Sequence, residues 1–280
     1  MVEREIDTAG TGVVSRSHKT TTRDLFDKYA KEVSPTKKGA KWEVVRLKKI
    51  ARAAWAAKRV NEVTKKDIND WKAEQSVSAA SVRREMNLVS AVFNYAIREW
   101  SLPIKNPLQG VSRPADSRAR ERRPSTAELG AIRSHFAEKK MGLLVELAIE
   151  TAMRLSELCS IEWADVNLDG QYITLSDTKN GTKRNVPLST RAVELLRPHV
   201  SKGPVIGITA GSAGVFWREA MKVLKIEDLH FHDLRHEATT RLSTKLVNVL
   251  ELAAVTGHKS LKHLQRYYNP DPTDLAKKLG

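Results

Sequence analysis

Apolar residues recur at helical steps along most of this chain, but from Trp163 the period shifts toward two. Asp165 to Leu168, Gln171 to Leu175 and Arg184 to Leu188 read as strands. They are separated by Asp169-Gly170 and Asn180-Gly181, the strongest short-range hairpin signals. Helix returns at Thr190 to Leu196 and at Gly211 to Leu224. A chain patterned this way is expected to be mainly α with a small antiparallel β-meander. The clearest helical stripe runs from Ser78 to Trp100, where Val82, Met86, Val89, Phe93, Ala96, Ile97 and Trp100 share one face and predict a core.

Breaks in these patterns divide the chain. Residues 1–19 mix Gly, Thr, Ser and charge without a period and read as a flexible tail. Thr21 to Asp24 form a capping-box pattern that opens a small helical domain over 20–107. Its second helix carries Trp42, Val45, Leu47 and Ile50 as the apolar side, with Lys37, Lys38, Lys41, Arg46, Lys48 and Lys49 around it. These cations, with Arg83, Arg84 and Asn87 off the Ser78–Trp100 stripe, are candidate DNA contacts, against the plainer reading of a solvated face. Residues 108–124 have linker composition but hold five Arg, at 113, 118, 120, 122 and 123. A basic strap between two domains suggests a C-shaped clamp that closes on a duplex, with counterion release supplying affinity. A second capping box, Ser125 to Glu128, opens a domain over 125–268, and 269–280 form a tail able to dock on a neighbouring protomer.

Charge narrows the partner. The 280 residues carry a net +15 and a pI near 9.9. That much self-repulsion is best tolerated by a chain whose partner is a polyanion, so nucleic acid leads and an anionic membrane surface follows. No apolar run approaches a membrane span, and the amino terminus lacks the apolar core of a signal peptide. A single cysteine, Cys159, excludes an internal disulfide framework and points to a reducing cytoplasm.

The chemistry concentrates near the carboxyl end. His232, Arg235 and His236 fall on one face of a helix expected over about 233–255, supported by Leu234, Leu242, Leu246, Val249, Leu250, Leu252 and Ala253. Gly257 stops it, His258 follows, and Ser260 to Tyr268 fit a short helix returning a phenol to the same pocket. The His pair imitates a zinc helix, but the Glu of H-E-x-x-H is absent and Arg235 would place a fixed charge beside the metal, so no metal site is expected. Upstream, Arg154 and Glu157 read either as a surface ion pair or as an Arg aimed into a site and oriented by an acid. The second hairpin tip presents Lys179, Lys183 and Arg184 on a loop able to reach a DNA groove.

Taken together, TAMRLSEL, TKNGTKRNVPL, HFHDLRHEATTRL, TGHKS and LKHLQRYYNP resemble the motifs of the tyrosine recombinases, the phage-type integrases. Within that family they look most like shufflon-type DNA invertases and related bacterial integrases. The resemblance spans about 20–275 and implies a core-binding domain followed by a catalytic domain. It implies that Tyr267 attacks a phosphodiester to give a 3′-phosphotyrosine, without metal, ATP or other cofactor. Arg154 and Arg235 would hold the non-bridging oxygens and Lys179 would protonate the leaving 5′-oxygen. His232 would assist proton transfer at the tyrosine, His258 would bind the phosphate, and Glu157 would orient Arg154 or the His232 region. DNA contacts would extend over Arg113, Arg118, Arg120, Lys183 and Arg184. The implied partners are a specific recombination site, three further copies of the chain across a Holliday junction, and optionally an accessory DNA-bending protein. Ala152 departs from the family's usual Gly, Lys259 from Ser and Asn269 from His, and Tyr268 leaves the nucleophile open, though the nine-residue step from His258 favours Tyr267. Two other readings stay in view: a type IB topoisomerase-like enzyme and a non-catalytic DNA-binding regulator.

Overall fold

The computed structural model describes residues 20–115, 120–137, 139–176, 183–268 and 272–279, which fall into two compact units dividing between Ala119 and Arg120. The chain is mostly helical, with one small sheet.

The first unit contains α1 (Thr22–Glu32), α2 (Ala40–Ile50), α3 (Lys65–Ala73) and α4 (Ala79–Arg98). Thr21 with Asp24 and Thr64 with Asp67 close capping boxes, each satisfying amide donors that a helix start leaves unpaired. The core gathers Leu25, Phe26, Leu47, Ile50, Ile68 and Met86, and Trp55 meets Phe26 and Trp71 edge-on at 5.9 and 6.0 Å. Three expectations change here. Trp42 and Val45 are 42% and 66% exposed, so the inner face of α2 is carried by Leu47 and Ile50. Ile97 is also partly exposed, at 37%, near the carboxyl end of α4. Leu108 and Val111, within the stretch read as linker, are buried in this core.

The second unit contains α5 (Thr126–Phe136), α6 (Lys140–Thr151), α7 (Leu155–Cys159), β1 (Val166–Asn167), β2 (Tyr172–Leu175), β3 (Arg184–Pro187), α8 (Thr190–Leu196), α9 (Ala210–Val223), α10 (Phe231–Lys245), α11 (Val249–Thr256) and α12 (Pro272–Leu279). The strands pair antiparallel in the order β1-β2-β3, with Ile173 opposite Val186 and Leu175 opposite Arg184. Leu144, Val145, Leu147 and Ala148 bury α6, which packs against α10, α8, α5 and α7.

The helix expected over 233–255 is interrupted. α10 ends before Leu246, and Asn248 caps α11 by accepting the Leu250 amide at 2.8 Å. A side chain that bonds its own following backbone competes with helix continuation, so the apolar period runs through a break it does not reveal. The short helix expected over Ser260–Tyr268 is two 3-10 turns, Leu261–His263 and Gln265–Tyr267, pinned by the fully buried Leu264 between them. No helix among the described residues is long and apolar enough to cross a membrane.

Candidate active site

Arg154 caps α7, and Glu157 one turn later accepts both the Arg154 amide, at 2.9 Å, and its guanidinium, at 2.8 Å. The same carboxylate accepts Arg184 at 3.0 and 3.3 Å from the first residue of β3. Glu157 is therefore a buried bridge between two guanidiniums. This corrects the expectation for Arg184, which is 13% exposed at its side chain and turned inward rather than toward a DNA groove. Burial lowers its pKa, Glu157 opposes that, and Arg154 adds to it. Gly257, at φ +70°, lies against the Arg184 guanidinium where a Cβ would collide.

Arg235 reaches the same place from α10. It is 4% exposed and donates to the carbonyls of Ala152 and Thr256, the second at 2.7 Å. Ala152 closes α6 in the left-handed conformation, at φ +52°. That turn aims its carbonyl at Arg235, which is why glycine suits the position and why Ala152 carries strain. Burial brings the Arg235 pKa down to about 10, with Arg154 next in effect. His258 stands 3.4 Å from Arg235 and shares a hydrogen bond of 2.7 Å with the Thr256 hydroxyl. Burial, then the charges of Arg235 and Arg154, push its pKa down to about 3, so it is neutral at pH 7. Arg154, Arg184 and Arg235 thus converge with one carboxylate among them, an arrangement suited to an anion.

The two tyrosines separate clearly. Tyr268 donates to the Leu246 carbonyl at 2.5 Å, which occupies its hydroxyl structurally. Tyr267 presents its hydroxyl 2.6 Å from His236 Nδ1. The sequence points to His232 for this contact, but the structure puts His236 there. His232 sits one turn earlier on α10, exposed, its ring edge-on to His236 with centroids 5.2 Å apart. Burial and then Arg266 lower the His236 pKa to about 4. Arg266, which the sequence did not single out, donates to His236 Nδ1 at 2.8 Å, to the Tyr267 hydroxyl at 2.9 Å and to the Arg120 carbonyl at 3.0 Å. Its adjacency to the tyrosine was the available signal.

Several expected DNA contacts are engaged within the protein. Arg120 forms a double ion pair with the buried Asp233 and with Asp228, both at 2.9 Å, and so anchors the start of α10. Its neighbours raise its pKa, Asp233 most. In the first unit Arg46 and Lys49 flank the fully buried Glu85 at 2.5 and 2.9 Å. Lys37 pairs with Glu43, Arg83 donates to the Pro114 carbonyl, and Arg113 donates to Asn87. Lys38, Lys41, Lys48, Arg84 and Lys183 are exposed. Lys179 and Arg118 lie outside the described residues.

Residues 129–274 match the model of the phage integrase family. A shufflon-specific DNA recombinase of Escherichia coli is 38% identical over 279 residues, covering 94% of this chain and 73% of that protein. Among solved structures, the Tn1549 transposon integrase in complex with transposon right-end DNA aligns with a TM-score of 0.72 at 17% identity, covering 92% of this chain and 98% of that one. A lambda integrase tetramer bound to a Holliday junction aligns at 0.69 and 23% identity, covering 91% and 83%.

Proposed function

The chain belongs to the phage integrase family, the tyrosine recombinases, and from that premise we propose that it is a site-specific DNA recombinase whose nucleophile is Tyr267. The observation that carries the assignment is the hydroxyl of Tyr267, held at 2.6 Å from an imidazole in the unit where Arg154, Arg235 and His258 converge, while Tyr268 is tied to a backbone carbonyl.

The scissile phosphate sits between the convergent cations and the phenol. Arg154 and Arg235 hold its non-bridging oxygens, where negative charge builds in the transition state, and His258 supports the same oxygens. Glu157 keeps Arg154 extended toward the anion and Arg184 presses the carboxylate from the other side. Tyr267 attacks phosphorus, the bond to the 5′-oxygen breaks, and the 3′-phosphotyrosine conserves the bond for rejoining to a new partner. Lys179 supplies the proton to the 5′-oxygen. The first unit works as the core DNA-binding domain, through Lys38, Lys41, Lys48 and Arg84. Four copies act on two paired sites through a Holliday junction, in the cytoplasm.

The test is covalent capture. Nicked duplexes tiled from the DNA flanking the gene are incubated with the protein without metal or ATP and run on a denaturing protein gel. A shifted band that disappears in Tyr267→Phe and persists in Tyr268→Phe is expected. Tight binding with no band on any duplex would replace the recombinase with a DNA-binding regulator, and relaxation of supercoils without strand exchange would replace it with a topoisomerase-like enzyme.

A further inference from the structure

The hydroxyl of Tyr267 is contacted from two sides by groups outside the expected catalytic set. Arg266 is the informative one, because a guanidinium only donates. Its Nη2 lies 2.8 Å from His236 Nδ1, so that nitrogen must accept, and the neutral ring carries its proton on Nε2. Nδ1 has a single lone pair, and the Tyr267 hydroxyl, 2.6 Å away, shares it with Arg266 as a second donor. The same Nη2 also donates to the Tyr267 oxygen at 2.9 Å. The phenol thus gives its hydrogen to an imidazole while receiving a charged hydrogen bond on its lone pair, the arrangement of an activated nucleophile.

The supports of these two residues are also defined. His236 is placed by α10, next to the buried Arg235, so its backbone is as fixed as the phosphate-binding arginine. Arg266 is held at its other nitrogen by the Arg120 carbonyl at 3.0 Å, and Arg120 is itself locked onto Asp233, which caps α10. The guanidinium also lies over the Tyr267 ring at 5.0 Å, which limits rotation of the phenol.

Resting on the recombinase reading above, we propose that His236 is the general base for Tyr267 and that Arg266 is the residue that positions and polarises the phenol. In the cleavage step the Tyr267 oxygen forms its bond to phosphorus as the phenolic proton passes to His236 Nδ1, giving an imidazolium. The bond from phosphorus to the 5′-oxygen breaks, and that oxygen takes its proton from a separate acid. On rejoining, the 5′-hydroxyl attacks and His236 returns its proton to the departing phenolate. Arg266 exchanges no proton, and its charge steadies the phenolate in both directions.

The test uses full-length protein and the nicked duplex that traps the wild-type enzyme, made both with an ordinary scissile phosphate and with sulfur in place of the 5′-bridging oxygen. A sulfur leaving group needs no protonation, so loss of the acid is rescued by sulfur and loss of the base is not. His236→Ala and His236→Gln are expected to slow covalent trapping about 100-fold or more on both substrates. Arg266→Gln should slow it roughly tenfold on both, with Arg266→Lys in between. Thermal unfolding and a gel shift on the intact duplex confirm that each variant folds and binds. The proposal is overturned if folded His236→Gln traps within about threefold of wild type, if sulfur restores the His236 variants, or if Arg266→Gln is unaffected. Absence of a wild-type band, or a band surviving in Tyr267→Phe, overturns the recombinase reading itself.

Discussion

Replacing Glu157 by Gln should cost more than any surface ion pair would lead one to expect. The carboxylate is 4% exposed and accepts from the Arg154 amide, the Arg154 guanidinium and two nitrogens of Arg184. The amide keeps the shape and some acceptor capacity but removes the charge. Arg184, 13% exposed at its side chain, is then a buried cation without its counter-charge and with Arg154 beside it. Breaking a buried pair from one side costs about 3–5 kcal/mol. Arg154 is 24% exposed and can turn toward water, which places the expected loss near the lower bound, about 3 kcal/mol. At roughly 2–4 °C per kcal/mol for a unit of this size, Tm should fall by about 6–12 °C in thermal unfolding followed by circular dichroism. Two controls separate charge from packing. Adding phosphate should recover more of the loss in Glu157→Gln than it adds to wild type, because the anion takes the vacated electrostatic role. Adding Arg184→Met should recover part of the loss as well, since the orphaned cation is removed. A Tm within about 2 °C of wild type, or a double variant that simply sums the two single losses, would refute the bridge.

Three further outcomes follow for the second unit. His236 and His258 fold with pKa values of about 4 and 3, against an ordinary 6.5, so below pH 6.5 the unfolded chain binds more protons than the folded one. Stability should therefore be full above pH 6.5 and fall as the pH drops toward the folded values, and a His236→Gln/His258→Gln double variant should show a flatter profile in denaturant titrations from pH 6.5 to 4. Arg122 holds the Glu128 carboxyl down at about 2 from 4.5. That contribution is present above pH 4.5 and is lost as pH falls toward 2, so the Tm gap between wild type and Glu128→Gln should be open at pH 6 and close through that window. Gly257→Ala should lower stability by about 1–2 kcal/mol from the left-handed backbone alone. Because the added methyl also displaces Arg184, covalent trapping should fall in parallel, and an unchanged trapping rate would show that Arg184 has no part in holding the site.

The class of fold was legible in the sequence, because it is carried by local signals. Hairpin turns announce themselves by Asp-Gly, helix starts by Thr-x-x-Asp, and a buried stripe by its period. The break between α10 and α11 was not legible, since Leu246, Val249 and Leu250 keep the apolar rhythm while Asn248 quietly caps a new helix. The linker reading failed at Leu108 and Val111 for a related reason. Two apolar residues set among Gly, Pro and Arg look solvated until the core that receives them is in view.

Charge partners were the least legible feature. Arg46, Lys49, Arg113 and Arg120 look alike in a sequence of net charge +15, yet each is committed to a particular acceptor. Whether a cation faces DNA or a buried carboxylate depends on residues up to 113 positions away. The choice between His232 and His236 has the same character. Both lie on one helix face four residues apart, and only the return of the Gln265–Tyr267 turn against α10 selects which imidazole the phenol meets. Sequence determined the chemical inventory, because periodicity and motif spacing are short-range properties of the chain. Tertiary structure decided the pairings, because a hydrogen bond is settled within a few tenths of an ångström, far finer than spacing along a helix can specify.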